Sequence, residues 1–266
     1  MSSYAHDYLD AVTAIAIEAG AAILNIYRDP NTNWEVDRKA DDSPLTLADL
    51  ASHQVIDAAL RKLTPDIPVL SEEGADIPWE ERKNWSRFWL VDPLDGTKEF
   101  LKRNDEFTVN IALIEDGLPV SGVVYAPALK ERDTDSVGTT WRAANGQAQR
   151  SVNGTGWRDI TVTPHQPGDT WQVVASRSHP SPELADYLAS LGDHACQSMG
   201  SSLKMCLVAE GSAHVYPRFG PTMQWDTGAA EAVLRAAGGT WQWLDEAVTS
   251  YDREALLNPG FIAAAQ

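Results

Sequence analysis

WLVDPLDGTKEF, residues 89–100, carries three kinds of sequence in one stretch. The apolar run 88–91 (FWLV) has no polar break and predicts a buried strand. Pro93 beside Asp92 reads as a turn. Asp92 and Asp95, three residues apart, stand at the strand exit, and Gly96-Thr97 opens a helix-like segment. A carboxylate at a strand exit is not neutralised cheaply by burial; it needs a cation or several donors. Two of them side by side suggest a divalent metal.

Working outward, the residues before this stretch offer more acids. Residues 68–71 predict a short strand that runs into Glu72-Glu73-Gly74. Upstream, residues 8–27 place Tyr8, Val12, Ile15, Ala19, Ala22, Ile23 and Ile26 at helical spacing. A second helix is expected over 47–63, with Thr46 as its N-cap and Asp49 in its first turn. Downstream, apolar segments 108–115 and 120–125 flank Asp116-Gly117, and 139–143 and 148–152 flank Asn145-Gly146. Both patterns predict hairpins, the second with a type I′ turn. The first half therefore reads as two helices on a largely antiparallel sheet.

The rhythm then changes. Strands are expected over 171–176, 213–216 and, last, 241–244, with helices over 181–191, 202–210 and 226–237. Pro164, Pro167 and Gly168 cluster where the rhythm shifts, which places a lobe boundary there: an α+β lobe, 1–164, carrying most of the candidate metal ligands, and an α/β lobe, 165–266, carrying the last of them and the candidate substrate contacts.

The whole chain sets bounds on function. Its 266 residues, 43% hydrophobic, suffice for a sizeable core. No run of about 18 apolar residues is present, and the N-terminus lacks a basic n-region, so neither a membrane span nor a signal peptide is expected. Cys196 and Cys206 fit no disulfide framework or zinc pattern; two buried, reduced thiols in a cytoplasmic protein are expected. A net charge of −17 disfavours nucleic acid polymers. A small anionic substrate requires the site to bring its own positive charge, which metal ions would supply.

Each acid has an ordinary explanation when taken alone. Asp226 reads as an N-cap, Glu72-Glu73 as a solvated turn, Asp92 and Asp95 as turn residues, and Asp49 as a surface helix acid. Together they form an oxygen-donor set of the kind that hard divalent cations take. Two such ions can clamp the attacking and leaving oxygens of a phosphoryl transfer. Gly96 and Thr97 add backbone N–H groups for phosphate, and Thr97 a hydroxyl for an attacking water.

The motifs Ser71-Glu72-Glu73, Asp92-Pro93-Leu94-Asp95-Gly96-Thr97 and Trp225-Asp226-Thr227-Gly228-Ala229 resemble, in order, those of the magnesium-dependent, lithium-sensitive phosphatase superfamily. That superfamily includes inositol monophosphatases, fructose bisphosphatases and 3′(2′),5′-bisphosphate nucleotidases. The resemblance spans nearly the whole chain. It implies an α+β fold, the layered αβαβα sandwich of the inositol monophosphatase and sugar phosphatase type, and two or three Mg²⁺ ions. It implies that Glu72, Asp92 and the Leu94 carbonyl hold one ion, and Asp92, Asp95 and Asp226 a second. Thr97, hydrogen-bonded to Asp49, would orient and deprotonate the attacking water, and the Gly96 and Thr97 N–H groups would take phosphate oxygens.

The segments 175–179 (ASRSH), 200–204 (GSSLK) and 216–220 (YPRFG) look like the bisphosphate nucleotidase branch. That likeness implies that His179, Ser201, Lys204 and Arg218 contact a nucleotide bisphosphate, including its non-reacting 5′-phosphate. Adenosine 3′,5′-bisphosphate is the expected substrate, with 3′-phosphoadenylyl sulfate as a second. Inositol monophosphatase, or a non-catalytic regulator on the same fold, is the alternative. The sequence leaves open a monomer or a homodimer, and peripheral association with the inner membrane.

Overall fold

The structure is a computed structural model and describes residues 8–32, 43–131, 136–176 and 181–265. Seven strands form the larger sheet in chain order: β1 (Val69–Ser71), β2 (Arg87–Asp95), β3 (Thr108–Glu115), β4 (Leu118–Lys130), β5 (Val137–Ala144), β6 (Gln147–Val152) and β7 (Thr155–Asp159). β1 runs parallel to β2, and every later pairing is antiparallel. Phe88 and Leu90 of β2 join one apolar core, while Trp89 and Val91 join the other. Both faces of the strand are covered, so its sequence shows a continuous apolar run and no alternation.

The helices are α1 (Leu9–Tyr27), α2 (Pro44–Leu63), α3 (Trp79–Arg82), α4 (Thr97–Lys102), α5 (Pro182–Leu191), α6 (Leu203–Ala209) and α7 (Gly228–Ala236). α1 lies across β3, β4 and β5, and α2 across β1 and β2. α7 covers the opposite face of the same sheet, against β3 to β6. It comes very close: a Cβ on Gly122 of β4 would stand 2.3 Å from the Ala229 carbonyl oxygen, so only glycine fits there.

A second sheet closes the far side. It contains β8 (Trp171–Ser176), β9 (His194–Met199), β10 (Val215–Arg218), β12 (Thr240–Trp243) and β14 (Phe261–Ala264), in the order β12-β14-β10-β8-β9. β11 (Thr222–Met223) and β13 (Leu257–Asn258) pair separately. α6 packs between α7 and strands β8, β10 and β14. The layers thus run helix, sheet, helix, sheet, and α5 meets the second sheet's connections through Tyr187 on Phe219, ring centroids 5.9 Å apart.

Several sequence expectations are corrected. Ser43, not Thr46, caps α2: its hydroxyl accepts the Thr46 N–H, and Pro44 takes the first helical position, where no N–H is needed. Residues 241–244 are not the last strand, because β14 follows and pairs with both β10 and β12. Cys196 is exposed on β9, while Cys206 is buried as expected. By length and composition α1 is apolar enough to cross a membrane, although it contains no unbroken apolar run of about 18 residues. Its apolar stripe, Val12, Ile15, Ala16, Ala19 and Ile23, is buried in the core against the sheet. Both hairpin turns form as expected, with positive φ at Asp116 and Gly117 and at Asn145 and Gly146.

Candidate active site

β2 does not end at Pro93. It continues to Asp95 through an irregularity in the ladder between Asp92 and Asp95. The bulge is held by its own polar groups: the Leu94 N–H donates to Asp92 Oδ1 at 3.0 Å, and Ser52 of α2 donates to the Pro93 carbonyl at 2.7 Å. A bulge re-aims side chains at a strand end. Here it turns Asp92, 1% exposed, and Asp95 toward a cavity of about 300 Å³.

Glu72 and Asp226 complete the acid wall of that cavity. Glu72 begins a 3-10 turn directly after β1, and its neighbour Ser71 is 3.0 Å from His53 Nδ1 of α2. Asp226 lies before α7 and does not cap it; its Oδ2 accepts the Met223 N–H at 2.8 Å. Asp49 is not in the cavity lining but faces the same cluster, with Glu73 and Glu72 as its charged neighbours. Its Oδ1 is buried with no hydrogen-bond partner, and the expected bond from Thr97 is not formed.

Burial and mutual repulsion raise these carboxyls. Asp49 is pushed up to about 8 by burial, then by Glu73 and Glu72. Glu72 rises to about 7 by burial and the charges of Asp95 and Glu73. Asp226 rises to about 8 by burial and Asp95. Asp92, the most enclosed, is held well above its ordinary range by burial and then by Asp95, Glu72, Asp226 and Asp49. Two like charges about 4 Å apart repel by about 4 kcal/mol at an effective dielectric of ~20. Whole-domain stability is only about 5–15 kcal/mol. Such a cluster is a liability to the fold unless a cation balances it.

The donor set suits that cation. It is all oxygen and all acidic, which is what hard divalent ions take, and the orphaned Asp49 Oδ1 adds an acceptor. Among the described residues no three histidine, cysteine, aspartate or glutamate side chains stand grouped closely enough to hold a metal ion as they are, so the fit lies in the chemistry of the donors.

Basic residues share the cavity with these acids. Lys204 of α6 and Arg218 of β10 line the same cavity, together with Gly96, Thr97, Lys98, Glu99 and Ser201. Lys204 is buried and its ammonium is lowered to about 8 by burial, partly opposed by Asp95. It donates to the Ser201 and Met199 carbonyls and lies 5.4 Å from the centre of the Tyr216 ring. Arg218 donates to the Gly220 and Pro221 carbonyls at 3.1 and 3.0 Å. Gly96 has φ +96, and a Cβ there would press on Ser201, Glu106 and Phe107, so glycine is required where α4 begins. Thr97 is exposed to solvent. His179 lies outside the described residues.

A model described as the inositol monophosphatase family matches residues 5–266. The chain belongs to the inositol monophosphatase family. Within it, the 3′(2′),5′-bisphosphate nucleotidase CysQ of Salmonella typhimurium strain LT2 is 53% identical over 254 residues, covering 95% of this chain and 98% of that one. CysQ of Escherichia coli K12 is 51% identical over 255 residues, with the same coverage. The solved structure of CysQ from Bacteroides thetaiotaomicron, described as a bacterial member of the inositol monophosphatase family, superposes with a TM-score of 0.83 at 42% identity, covering 99% and 98% of the two chains. An inositol monophosphatase from Zymomonas mobilis, at 24% identity and TM-score 0.74, covers 99% of this chain and 94% of its own and shares the fold.

Two residues of the candidate site were missed in the sequence. Ser202 gives Asp95 Oδ2 its backbone N–H at 2.7 Å, and its hydroxyl stands 2.8 Å from both that oxygen and the Asp226 carbonyl. With one proton, the hydroxyl serves one acceptor at a time. Asn110, opposite Asp92 in the ladder, donates to Ser202 Oγ at 2.9 Å. A polar side chain inside the buried run TVNIALI was the available signal, since burial of an amide demands partners.

Proposed function

We propose that the protein is a divalent-cation-dependent 3′(2′),5′-bisphosphate nucleotidase. It removes the 3′-phosphate of adenosine 3′,5′-bisphosphate, leaving AMP and phosphate, and accepts 3′-phosphoadenylyl sulfate as a second substrate. The chain is a phosphatase of the inositol monophosphatase superfamily. What supports the finer reading is one cavity lined both by the carboxylates Glu72, Asp92, Asp95 and Asp226 and by the cations Lys204 and Arg218, with Lys98 and Glu99 also in the lining. A phosphomonoester with a single anionic group needs only the acids and the cations they would hold. A bisphosphate uses Lys204 and Arg218 as well.

Glu72, Asp92 and the Leu94 carbonyl would hold one Mg²⁺, and Asp92, Asp95 and Asp226 a second, with room in the proposal for a third. Bound there, Mg²⁺ supplies positive charge to the phosphate and lowers the pKa of water. The remaining work falls to the chain. Gly96 and Thr97 N–H groups hold phosphate oxygens, as amides at a helix start do. Thr97 Oγ1 orients the attacking water and passes its proton toward Asp49; closure of that hydroxyl onto the orphaned Asp49 Oδ1 completes the relay. Lys204 and Arg218 neutralise the 5′-phosphate, with Ser201 and His179 beside them.

The test is phosphate release with Mg²⁺ from adenosine 3′,5′-bisphosphate and from inositol 1-phosphate, in parallel. The bisphosphate is expected to be turned over with a kcat/KM at least about 10²-fold higher, the scale of one buried charge pairing of a few kcal/mol. Preference for inositol 1-phosphate returns the protein to the monophosphatase alternative. Nucleotide binding without phosphate release makes it a regulator.

A further inference from the structure

We infer that Asn258 is a positioning residue for Asp226, setting the last carboxylate of the cavity from near the end of the chain. The inference rests on the metal-dependent reading above. Asp226 stands between β11 and α7, and its Oδ2 is held by the Met223 N–H at 2.8 Å. The Asn258 amide nitrogen donates to the carbonyl of that same Met223 at 2.7 Å. It also lies 3.0 Å from Oγ1 of Thr227, the residue after Asp226, and 3.1 Å from Oγ1 of Thr222. With two protons to share among three acceptors, one side chain therefore reaches the backbone before the acid and the hydroxyl of the residue after it.

The grip is built rather than incidental. Asn258 is 2% exposed, and its carbonyl end is fixed by the Arg253 guanidinium, so the amide nitrogen must point at Met223. The β11–β13 pairing sets Thr222 opposite Asn258. Between them, the Gln224 N–H donates to the Leu256 carbonyl at 2.9 Å, and the Gln224 amide to the Ala255 carbonyl at 3.1 Å. Arg82 of α3 donates to the Ile77 and Glu254 carbonyls at 3.0 and 2.9 Å. The segment that grips Asp226 is thereby tied to the segment that follows Glu72. The partners that orient a ligating carboxylate typically govern metal affinity by about 10–100-fold.

The competing explanation is that Asn258 only satisfies a buried carbonyl. Tyr251 separates the two. Its hydroxyl belongs to the same buried network, donating to Glu231 Oε2 at 2.6 Å and lying 3.0 Å from Thr227 Oγ1, but it makes no bond to Met223. Mg²⁺ affinity is measured by calorimetry on the full chain for wild type, Asn258→Ala and Tyr251→Phe, with Tm in EDTA at pH 6 recording the fold. Asn258→Ala is expected to bind Mg²⁺ at least about 10-fold more weakly. Tyr251→Phe is expected to lower Tm while keeping its affinity within about 2-fold of wild type, since the Met223 contact is intact. Asn258→Ser, which keeps one donor, falls between wild type and Ala and serves where Ala does not fold. Wild-type affinity in the Asn258 variants overturns the inference, as does an equal loss in Tyr251→Phe. Absence of Mg²⁺ binding by the wild type removes the metal centre and this inference together.

Discussion

Asp92 concentrates the conflict between fold and function in one side chain. It is the most enclosed acid of the cluster, and four neighbouring carboxyls raise its pKa further once burial has done so. Its shape is fully used, because Oδ1 takes the Leu94 N–H that holds the bulge. Asparagine has the same shape and can keep that bond through its carbonyl, but it removes the charge. Asp92→Asn should therefore raise the Tm of the metal-free protein at pH 8 and lower kcat on the order of 10³-fold, since in the proposed site Asp92 would be the ligand shared by both cations. Turnover within tenfold of wild type would remove Asp92 from the metal centre. A lower metal-free Tm would show that the carboxylate serves the fold.

At the scale of elements, what was legible depended on how local the cause was. β2 could be read because two covering layers leave an unbroken FWLV run, and the hairpins because Asp-Gly and Asn-Gly supply positive φ. β14 could not. Its FIAA reads as a small-residue tail, and it becomes a strand only by pairing with β10 and β12. β9, HACQSM, is an edge strand with little burial and no apolar alternation to announce it. The bulge after Val91 was read as a turn because Asp-Pro favours one, yet Ser52 of α2 and the Asn110 partnership keep the strand going. The site divides in the same way. The acids are visible because burial of carboxylates is costly wherever they fold. Ser202 was passed over because its meaning is a bond to Asp95, 107 residues away.

For the molecule as a whole, the acid excess becomes a dependence on pH. Asp49, Glu72, Asp92 and Asp226 are all held above their ordinary values, so the folded protein binds more protons than the unfolded chain. The stability this confers is complete below the unfolded carboxylate range, near 4, and is lost as pH rises through the folded values of about 7 to 8. Lys204 acts in the opposite sense, but only above its lowered value of about 8. In EDTA, Tm should fall between pH 5.5 and pH 8, and Mg²⁺ should restore it more at pH 8 than at pH 5.5. At a hundredfold excess over Kd the cation contributes about 2.7 kcal/mol. A scanning fluorimetry series in which Tm rises across that window without metal would contradict the acid cluster as described.

In the proposed reaction one cavity takes up two phosphates and cleaves one. The direct measurement follows adenosine 3′,5′-bisphosphate by ³¹P NMR with the protein and Mg²⁺, reading the 3′ and 5′ resonances separately. The 3′ resonance is expected to disappear into inorganic phosphate while the 5′ resonance persists as AMP. Loss of the 5′ resonance first, or no loss of either with Mg²⁺ bound, would contradict it.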